Sequence, residues 1–278
     1  MKLLFDELSF HVSKMTTKKY STSFFLGILG LRPTIRPAIY AIYGYVRLAD
    51  EIVDSFHNYN KEELLSQLKA STYDALQKGI SLNPILQSFQ QTVKQYNIEV
   101  SLIEQFLHSM EMDLQQIDYN SKLYEEYIFG SSEVVGLMCL HVFAGGDSEK
   151  YLELKPFAMK LGSAFQKVNF LRDLKDDYQI LGRTYFPDID MCVFDNSVKS
   201  KIEKEIEQEF KEALIGIKQL PNSSKFGVYL AYKYYLSLFN KIKRKSSIDI
   251  LNKRIRVPNT QKAFVAFKSY LRYKTALL

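Results

Sequence analysis

The spacing of the apolar residues is the feature that most constrains the fold of this chain. Along most of the sequence they recur every three or four positions, which is the period of an α-helix. Only 12 glycines and 7 prolines interrupt the pattern in 278 residues, and the alternation typical of strands is nearly absent. The sequence therefore predicts an all-α fold. The predicted helices, with boundaries good to about three residues, cover 3–15, 20–30, 35–55, 61–78, 84–96, 99–117, 121–144, 149–181, 195–218, 222–246 and 259–275.

The chain contains no internal repeat, low-complexity tract or Gly/Ser linker that would divide it. One domain over residues 1–278 is therefore expected, and the 46% hydrophobic content is ample for its core. Two cysteines, Cys139 and Cys192, are too few for a disulfide framework and favour a reducing cytoplasm.

Two further features bear on localisation. Asp6 and Glu7 lie where a secretory signal peptide needs an uninterrupted apolar core. The longest apolar stretch, 134–146, contains His141 and is shorter than the roughly 20 residues of a spanning helix. We therefore expect a cytoplasmic chain without a transmembrane segment.

Positive charge is concentrated near the C-terminal end. The net charge is +6, and residues 241–278 hold eleven Lys or Arg against one acid, Asp249. Such a segment suits polyanions, whether nucleic acid, anionic lipid headgroups or a diphosphate substrate. The sequence has no helix-turn-helix and no aromatic–basic pattern, so we expect no nucleic-acid partner.

The first candidate site is a polar stripe on an apolar helix. Tyr43, Arg47, Asp50 and Asp54 recur at spacings of four, three and four, which places all of them on one face. The other sides of the segment are apolar, so the helix should be largely buried and its polar stripe should face an internal cavity.

A second apolar segment carries a similar polar stripe. Gln166, Asn169, Asp173 and Asp177 lie at spacings of three, four and four on another apolar helix. One Asp-x-x-x-Asp pair alone is more often an exposed acidic face. Two such pairs, each embedded in an apolar helix, instead favour a site in which carboxylate oxygens share hard cations such as Mg²⁺ and clamp a diphosphate.

Several blocks resemble the squalene/phytoene synthase family, in the family's order over roughly residues 19–256. The two aspartate-rich motifs are Asp50-Glu-Ile-Val-Asp54 and Gln166-x-x-Asn169-x-x-Arg172-Asp173-x-x-x-Asp177. The segment Tyr127-Ile-Phe-Gly-Ser-Ser-Glu-Val-Val-Gly136-Leu-Met is similar to the bacterial phytoene synthase form. The remaining matches are Lys19-Tyr-Ser21-Thr-Ser23-Phe24, the flap-like Gly182-Arg183-Thr-Tyr185-Phe-Pro187, and Tyr235 with Arg254.

The chain also departs from the family pattern. Ile128 and Phe129 replace a cysteine and a tyrosine, and Ser131-Ser-Glu133 replaces Val-Ala-Gly. The stretch 245–253 aligns only with a one-residue shift, just before Arg254.

The resemblance implies a role for each matching residue. Asp50, Asp54, Asp173 and Asp177 would bind Mg²⁺, which Mn²⁺ could replace. Tyr43, Arg47, Tyr127 and Arg172 would be catalytic, the tyrosines beside cationic intermediates and the arginines on diphosphate oxygens. The predicted diphosphate-binding residues are Ser21, Ser23, Phe24, Gln166, Asn169, Arg183, Tyr235 and Arg254.

The implied fold is a single isoprenoid synthase domain with helices around a deep central cavity. The implied reaction joins two allylic isoprenyl diphosphates head to head through a cyclopropylcarbinyl diphosphate. The similarity of Ser131–Met138 to bacterial phytoene synthases favours two geranylgeranyl diphosphates as substrates and 15-cis-phytoene, a carotenoid precursor, as product. Because that product is very hydrophobic, we expect docking at the inner face of a membrane through the basic C-terminal segment.

A loop at 181–190 interrupts two helical patterns and contains Gly182, Arg183 and Pro187. It joins an arginine to a glycine hinge beside the second stripe. We expect it to order over bound substrate as a lid.

Three alternatives stay open. A squalene or dehydrosqualene synthase would use farnesyl diphosphate, with NADPH required only if squalene is the product. A head-to-tail prenyltransferase or terpene cyclase would favour a denser Asp-Asp-x-x-Asp or an Asn/Ser/Glu metal triad, and neither is present. A helical scaffold or lipid-binding protein without catalysis would be favoured by loss of an aspartate, yet all four remain.

Overall fold

The computed structural model describes residues 1–115, 119–179, 185–187 and 194–275, without the side chains of 176–179. Within these ranges the regular structure is helical, and the predicted all-α class is confirmed. The α-helices are α1 Lys2–Tyr20, α2 Thr22–Leu29, α3 Arg36–Ser55, α4 Lys61–Lys78, α5 Pro84–Tyr96, α6 Val100–Met112, α7 Ser121–Ile128, α8 Val134–Ala144, α9 Ser148–Gln179, α10 Asn196–Gln219, α11 Lys225–Lys243, α12 Ser247–Asn252 and α13 Asn259–Lys274.

Local capping explains why most helix boundaries were predictable. The side chains of Asn60, Asn83 and Asn120 each accept a backbone N–H in the first turn of the helix that follows. Gly79 and Gly145 end α4 and α8 in the left-handed conformation, which glycine adopts without steric cost. Asparagine and glycine are favoured at these cap positions, so the observed ends follow from local sequence.

Two departures from the predicted helices concern their ends and number. The helix expected over 99–117 ends at Met112, and the one expected over 3–15 continues to Tyr20. The short helix α12 was not predicted, and it begins with a capping box in which Ser246 and Asp249 bond each other's backbone N–H groups.

A third departure is a π-helical segment, Phe129–Glu133, inside the helix predicted over 121–144. It lies where neighbouring backbones approach closely. A Cβ on Gly130 would come within 2.7 Å of the Gln105 carbonyl, and one on Gly162 of α9 within 2.7 Å of the Ser132 carbonyl. The bulge therefore sits in a contact that only glycine permits, between α6 and α9.

The two helices that carry the polar stripes hold central positions. Helix α9, with 32 residues, packs against α8, α10, α11, α12 and the π-helical segment. Helix α3 packs against α1, α4, α5, α6 and α8. Its Tyr45 is fully buried and stacks on Phe89 at a ring-centroid distance of 3.9 Å. The core thus forms around both stripe-bearing helices, as their apolar circumference requires.

The continuous helical stretch Ser121–Ala144 is long and apolar enough to cross a membrane by length and composition, with 44% of its most apolar window buried. The sequence analysis had predicted no such segment. In the described structure this stretch packs against α3, α6 and α9, and Val134, Leu137 and Met138 are fully buried. The same hydropathy is expected of a core helix.

Candidate active site

The first polar stripe lies along α3 as predicted. Its four side chains, Tyr43, Arg47, Asp50 and Asp54, are half-buried, whereas flanking positions such as Ala41, Tyr45 and Ala49 are fully buried. The stripe is therefore the accessible side of an otherwise enclosed helix. Burial raises the pKa of the Tyr43 hydroxyl, which keeps it protonated at neutral pH.

Asp50 sits among other carboxylates. Burial, with the charges of Asp54 and Asp113, raises its pKa to about 7, and the opposing effect of Arg47 is smaller. An aspartate with this pKa is about half protonated at neutral pH, because the described residues around it do not balance its negative charge. Such a position favours the arrival of a cation.

Only part of the Arg47 guanidinium group has partners within the protein. Its guanidinium pairs with Glu51 and lies 4.4 Å from the centroid of the Tyr20 ring. Its buried Nε has no hydrogen-bond partner among the described residues. A buried donor without a partner costs about 1–3 kcal/mol, so this N–H is suited to donate a hydrogen bond to a phosphate oxygen of a ligand.

Asp113 is a site residue that the sequence analysis missed. It follows α6 directly, is 7% exposed, and accepts hydrogen bonds from the hydroxyls of Tyr127 (2.7 Å) and Tyr185 (3.2 Å). The available signal was its position, since it continues the helical row of the buried Phe106 and Met110. An acid on the apolar face of a helix is the kind of residue that marks a site.

The second stripe occupies α9. The amide of Asn169 donates to Gln166 Oε1 at 3.4 Å, and the Tyr235 hydroxyl donates to Asn169 Oδ1 at 3.3 Å. Tyr235 belongs to α11, so the stripe is joined to a neighbouring helix. The predicted partner Asp177 lies on α9, but its side chain is outside the described residues.

Asp173 is engaged by two arginines. Arg172 Nε donates to Asp173 Oδ1 at 2.9 Å, and Arg254 Nε lies 2.8 Å from the same oxygen. Arg254 comes from the segment after α12, where the family alignment had needed a one-residue shift. The structure brings this distant residue, which the resemblance had assigned to diphosphate binding, into contact with the second stripe.

Aromatic rings connect the two stripes. The Phe24 ring lies 5.8 Å from that of Tyr43 and 5.6 Å from that of Tyr235, and Tyr235 stacks on Phe165 of α9 at 3.8 Å. Ser21 caps α2 by accepting from the Phe24 N–H, and its side chain is near enough to Tyr43 to lower the pKa of that hydroxyl slightly against the larger effect of burial. Helices α2, α3, α9 and α11 therefore meet around one aromatic wall.

Three further predicted residues are Tyr127, Ser23 and Arg183. Tyr127 is 3% exposed, and its hydroxyl is committed to Asp113 while its ring packs against Phe170 and Tyr185. Ser23 is half-buried on α2. Arg183 lies outside the described residues, as does most of the predicted lid at 181–190.

Glu133, one of the departures from the family pattern, lies in the π-helical segment. Burial and the nearby charge of Glu209 raise its pKa to about 7. Glu209 is 5% exposed and pairs with Lys167 at 2.7 Å. The substituted carboxyl therefore borders a buried polar cluster between the π-helical segment, α9 and α10, and these surroundings favour its protonated form.

The donor set of the first stripe fits a divalent cation. The described residues contain no group of three His, Cys, Asp or Glu side chains arranged to hold a metal ion. The carboxylates of Asp50, Asp54 and Asp113 nevertheless act on one another strongly enough to shift a pKa. Mg²⁺ takes oxygen ligands and is commonly held by one or two carboxylates together with substrate phosphates.

Comparison with known proteins finds several phytoene synthases among the relatives of this chain. A chloroplastic phytoene synthase 3 from Zea mays is 25% identical over 285 residues, which cover 95% of this chain and 66% of that protein. The chain therefore spans just under two thirds of the maize protein. A phytoene synthase from Arthrospira platensis is also 25% identical, over 91% of this chain and 90% of that protein.

Solved structures show the same fold. A dehydrosqualene synthase in complex with a ligand superposes with a TM-score of 0.83 at 22% identity, covering 97% of this chain and 98% of that one. A squalene synthase from Alicyclobacillus acidocaldarius gives a TM-score of 0.73 at 19% identity, over 85% and 93% of the two chains.

The sequence model of squalene/phytoene synthases matches residues 17–261, a range that includes both stripes, Asp113, Tyr235 and Arg254. This range is most of the chain, and members of the family are prenyltransferases. The chain belongs to the squalene/phytoene synthase family.

Proposed function

We propose that this chain condenses two allylic isoprenyl diphosphates head to head, through a cyclopropylcarbinyl diphosphate. The observation that carries the proposal is the aromatic wall of Phe24, Tyr43 and Tyr235, which joins an acidic stripe on α3 to an acidic stripe on α9. Charged groups for two diphosphates thus border an apolar surface for the hydrocarbon chains.

Cationic side chains would bind the diphosphates. Arg47 offers a buried Nε without a partner, and Arg172 and Arg254 converge on Asp173. Guanidinium groups match phosphate oxygens in pairs. Asp50, Asp54 and Asp173 would hold Mg²⁺ or Mn²⁺, which when bound neutralises charge on the diphosphate leaving group.

The aromatic wall would act on the hydrocarbon part of the reaction. When the C–O bond of one substrate breaks, the diphosphate leaves with the electron pair and an allylic cation remains. The double bond of the second substrate attacks it, and loss of a proton closes the cyclopropane. The ring faces of Tyr43, Tyr235 and Phe24 attract positive charge and exclude water, which would otherwise quench the cation.

For the substrate we propose two molecules of geranylgeranyl diphosphate, with 15-cis-phytoene as the product for carotenoid biosynthesis. The phytoene synthases among the relatives support this choice. The structural neighbours, a dehydrosqualene and a squalene synthase, support the second candidate, condensation of farnesyl diphosphate. NADPH would be consumed only if the product is squalene.

One assay separates these candidates. Purified protein with Mg²⁺ receives either the 15-carbon or the 20-carbon allylic diphosphate, each with and without NADPH, and the hydrocarbons are identified by mass spectrometry. Phytoene formed without NADPH is the expected result. A 30-carbon product from the shorter substrate alone would overturn the phytoene assignment, and no hydrocarbon from either substrate would favour a scaffold or lipid-binding role.

A matched pair of variants tests the acidic stripe. Asp50→Asn should abolish turnover, whereas Asp74→Asn makes the same chemical change on the exposed face of α4 and should not. A chelator should abolish activity in both the wild type and the control. Full activity of Asp50→Asn would contradict the role proposed for the stripe.

The proposal includes a place of action. A hydrocarbon product partitions into a bilayer, so we propose that the chain works in the cytoplasm against a membrane surface. The basic C-terminal segment is the part of the chain whose charge suits such contact.

A further inference from the structure

Helix α11 presents different residues on two opposite sides. Tyr235 faces the aromatic wall, while Lys233 and Ser237, each two positions away, point to the opposite side of the helix. There they line a cleft of about 390 Å³ between α11 and α13. The cleft is therefore separated from the candidate active site by the thickness of a helix.

The cleft is strongly basic. Lys233, Lys241, Arg244, Lys268 and Arg272 line it, and no acidic residue does. Within the described structure none of these five forms an ion pair with a carboxylate. The sequence explains why, because residues 225–278 contain thirteen Lys or Arg and a single acid.

The cationic side chains that line the cleft lie close to one another. Burial lowers the pKa of Lys233, and the nearby charges of Arg272 and Lys268 lower it further. Like charges held together in this way repel unless an anion lies between them. Lys241 is the exception, since its amine donates to the Arg256 carbonyl at 2.6 Å.

A buried hydroxyl also lines the cleft. Ser269 of α13 is 1% exposed, and its Oγ has no hydrogen-bond partner among the described residues. An unsatisfied buried hydroxyl is costly in a native structure. A phosphate oxygen in the cleft would satisfy it.

An apolar stripe runs beside the cleft. Phe264, Phe267 and Leu271 of α13 follow the helical spacing i, i+3, i+7, and they are 66%, 63% and 47% exposed. Large side chains presented to solvent in a row on a basic helix are typical of helices that lie in the headgroup layer of a membrane.

We propose that the cleft between α11 and α13 binds the phosphate of an anionic lipid headgroup, while Phe264, Phe267 and Leu271 enter the interfacial layer of the bilayer. The cations and the Ser269 hydroxyl supply the charge and the donor for the phosphate. The apolar stripe accounts for a lipid rather than a soluble phosphate, because a free anion makes no use of it. The site rests on the membrane contact proposed above for the basic C-terminal segment, and it does not depend on which diphosphate the enzyme condenses.

The test is vesicle sedimentation with the full chain. One set of vesicles is phosphatidylcholine alone, and the other mixes phosphatidylcholine with phosphatidylglycerol. The wild type should bind only the anionic set, and added salt should weaken the binding. The double variant Lys268→Gln, Arg272→Gln should lower the partition coefficient about thirtyfold, since each cation at an anionic surface contributes about fivefold.

Matched controls exclude simpler explanations. Lys204→Gln with Lys211→Gln removes the same charge from the exposed face of α10 and should change binding less than about twofold. The double variant Phe264→Ser, Phe267→Ser should weaken vesicle binding without changing the midpoint temperature of thermal unfolding. Ser269→Ala should weaken it severalfold.

Three results would overturn the proposal. The first is equal binding to neutral and anionic vesicles. The second is equal loss of binding in the cleft and α10 variants, which would indicate net charge alone. The third is calorimetric binding of glycerol phosphate without any vesicle binding, which would indicate a site for a soluble anion.

Discussion

The two acidic stripes share one sequence pattern but have opposite surroundings. On α3, Asp50 lies among the carboxylates of Asp54 and Asp113, and its pKa rises to about 7. On α9, Asp173 is paired with Arg172 and Arg254. Among the described residues, the α3 stripe therefore has more carboxylates than cations, whereas Asp173 of the α9 stripe is paired with two arginines.

This difference indicates that the two stripes would bind different charged groups in the proposed reaction. The stripe with excess negative charge is suited to a cation that arrives with the substrate. The stripe with arginines is suited to the diphosphate itself, because a phosphate can compete with Asp173 for both guanidinium groups. Identical spacing of aspartates thus leads to different chemistry once the neighbouring helices are in place.

The largest expected effect is on turnover, where the two stripes should behave alike. Asp50→Asn and Asp173→Asn should each lower kcat by at least about a hundredfold, since each removes a charge that acts on the leaving diphosphate. Steady-state kinetics measure this, with circular dichroism to verify the helical content. A variant at either stripe with near wild-type kcat would show that the two stripes do not act together.

Stability should separate the stripes. Asp173→Asn breaks hydrogen bonds with two arginines and should lower the free energy of unfolding by about 1–2 kcal/mol. Asp50→Asn removes a carboxylate from a cluster of like charges, so in chelator at pH 8 it should leave stability unchanged or raise it. Urea titration of both variants gives the comparison, and equal destabilisation would mean that the two environments do not differ as described.

Asp113 links the first stripe to the tyrosine cluster, so its replacement should have an intermediate effect. Asp113→Asn keeps the size of the side chain but removes the charge that faces Asp50, and it weakens the hydrogen bonds from Tyr127 and Tyr185. We expect kcat to fall about tenfold. Tyr127→Phe is the matched control for the hydrogen bond alone, and a larger loss in that variant would indicate that the bond matters more than the charge.

The smallest expected effect is on the pH dependence of stability without metal. The pKa of Asp50 is raised in the folded chain, so the folded state binds the proton more tightly than the unfolded state does. Its contribution to stability is present below the unfolded pKa and is lost as the pH rises through about 7. Between pH 6 and pH 8 the chelated wild type should lose about 1 kcal/mol relative to Asp50→Asn. Parallel curves for the two proteins would contradict the raised pKa.

Much of the fold was predictable from the sequence because the signals are local. Apolar spacing marked the helices, and local caps such as Asn60 and Gly79 stand at the ends of α4 in the structure. The π-helical segment Phe129–Glu133 was missed because it depends on a close contact with α6 and α9 rather than on local propensity. Helix α12 was missed because six residues are too few for a periodic pattern.

Part of the candidate site was likewise predictable from local spacing, whereas residues from distant segments were not. The spacing of Asp50 and Asp54, or of Asn169 and Asp173, was enough to place each set on one helical face, because a helix repeats every 3.6 residues. That geometry is a property of the chain alone. The family resemblance then supplied the residues from other segments, including Arg254, as expectations.

Only the tertiary structure decided which charges meet. Asp113 comes from the end of another helix, and Arg254 reaches Asp173 across 81 positions of sequence. Electrostatic interactions depend on distance in space and on burial, and sequence spacing reports neither for residues on different helices. The sequence alone therefore determined that two acidic stripes exist, whereas the packing of the helices decided that one has excess negative charge and the other is neutralised.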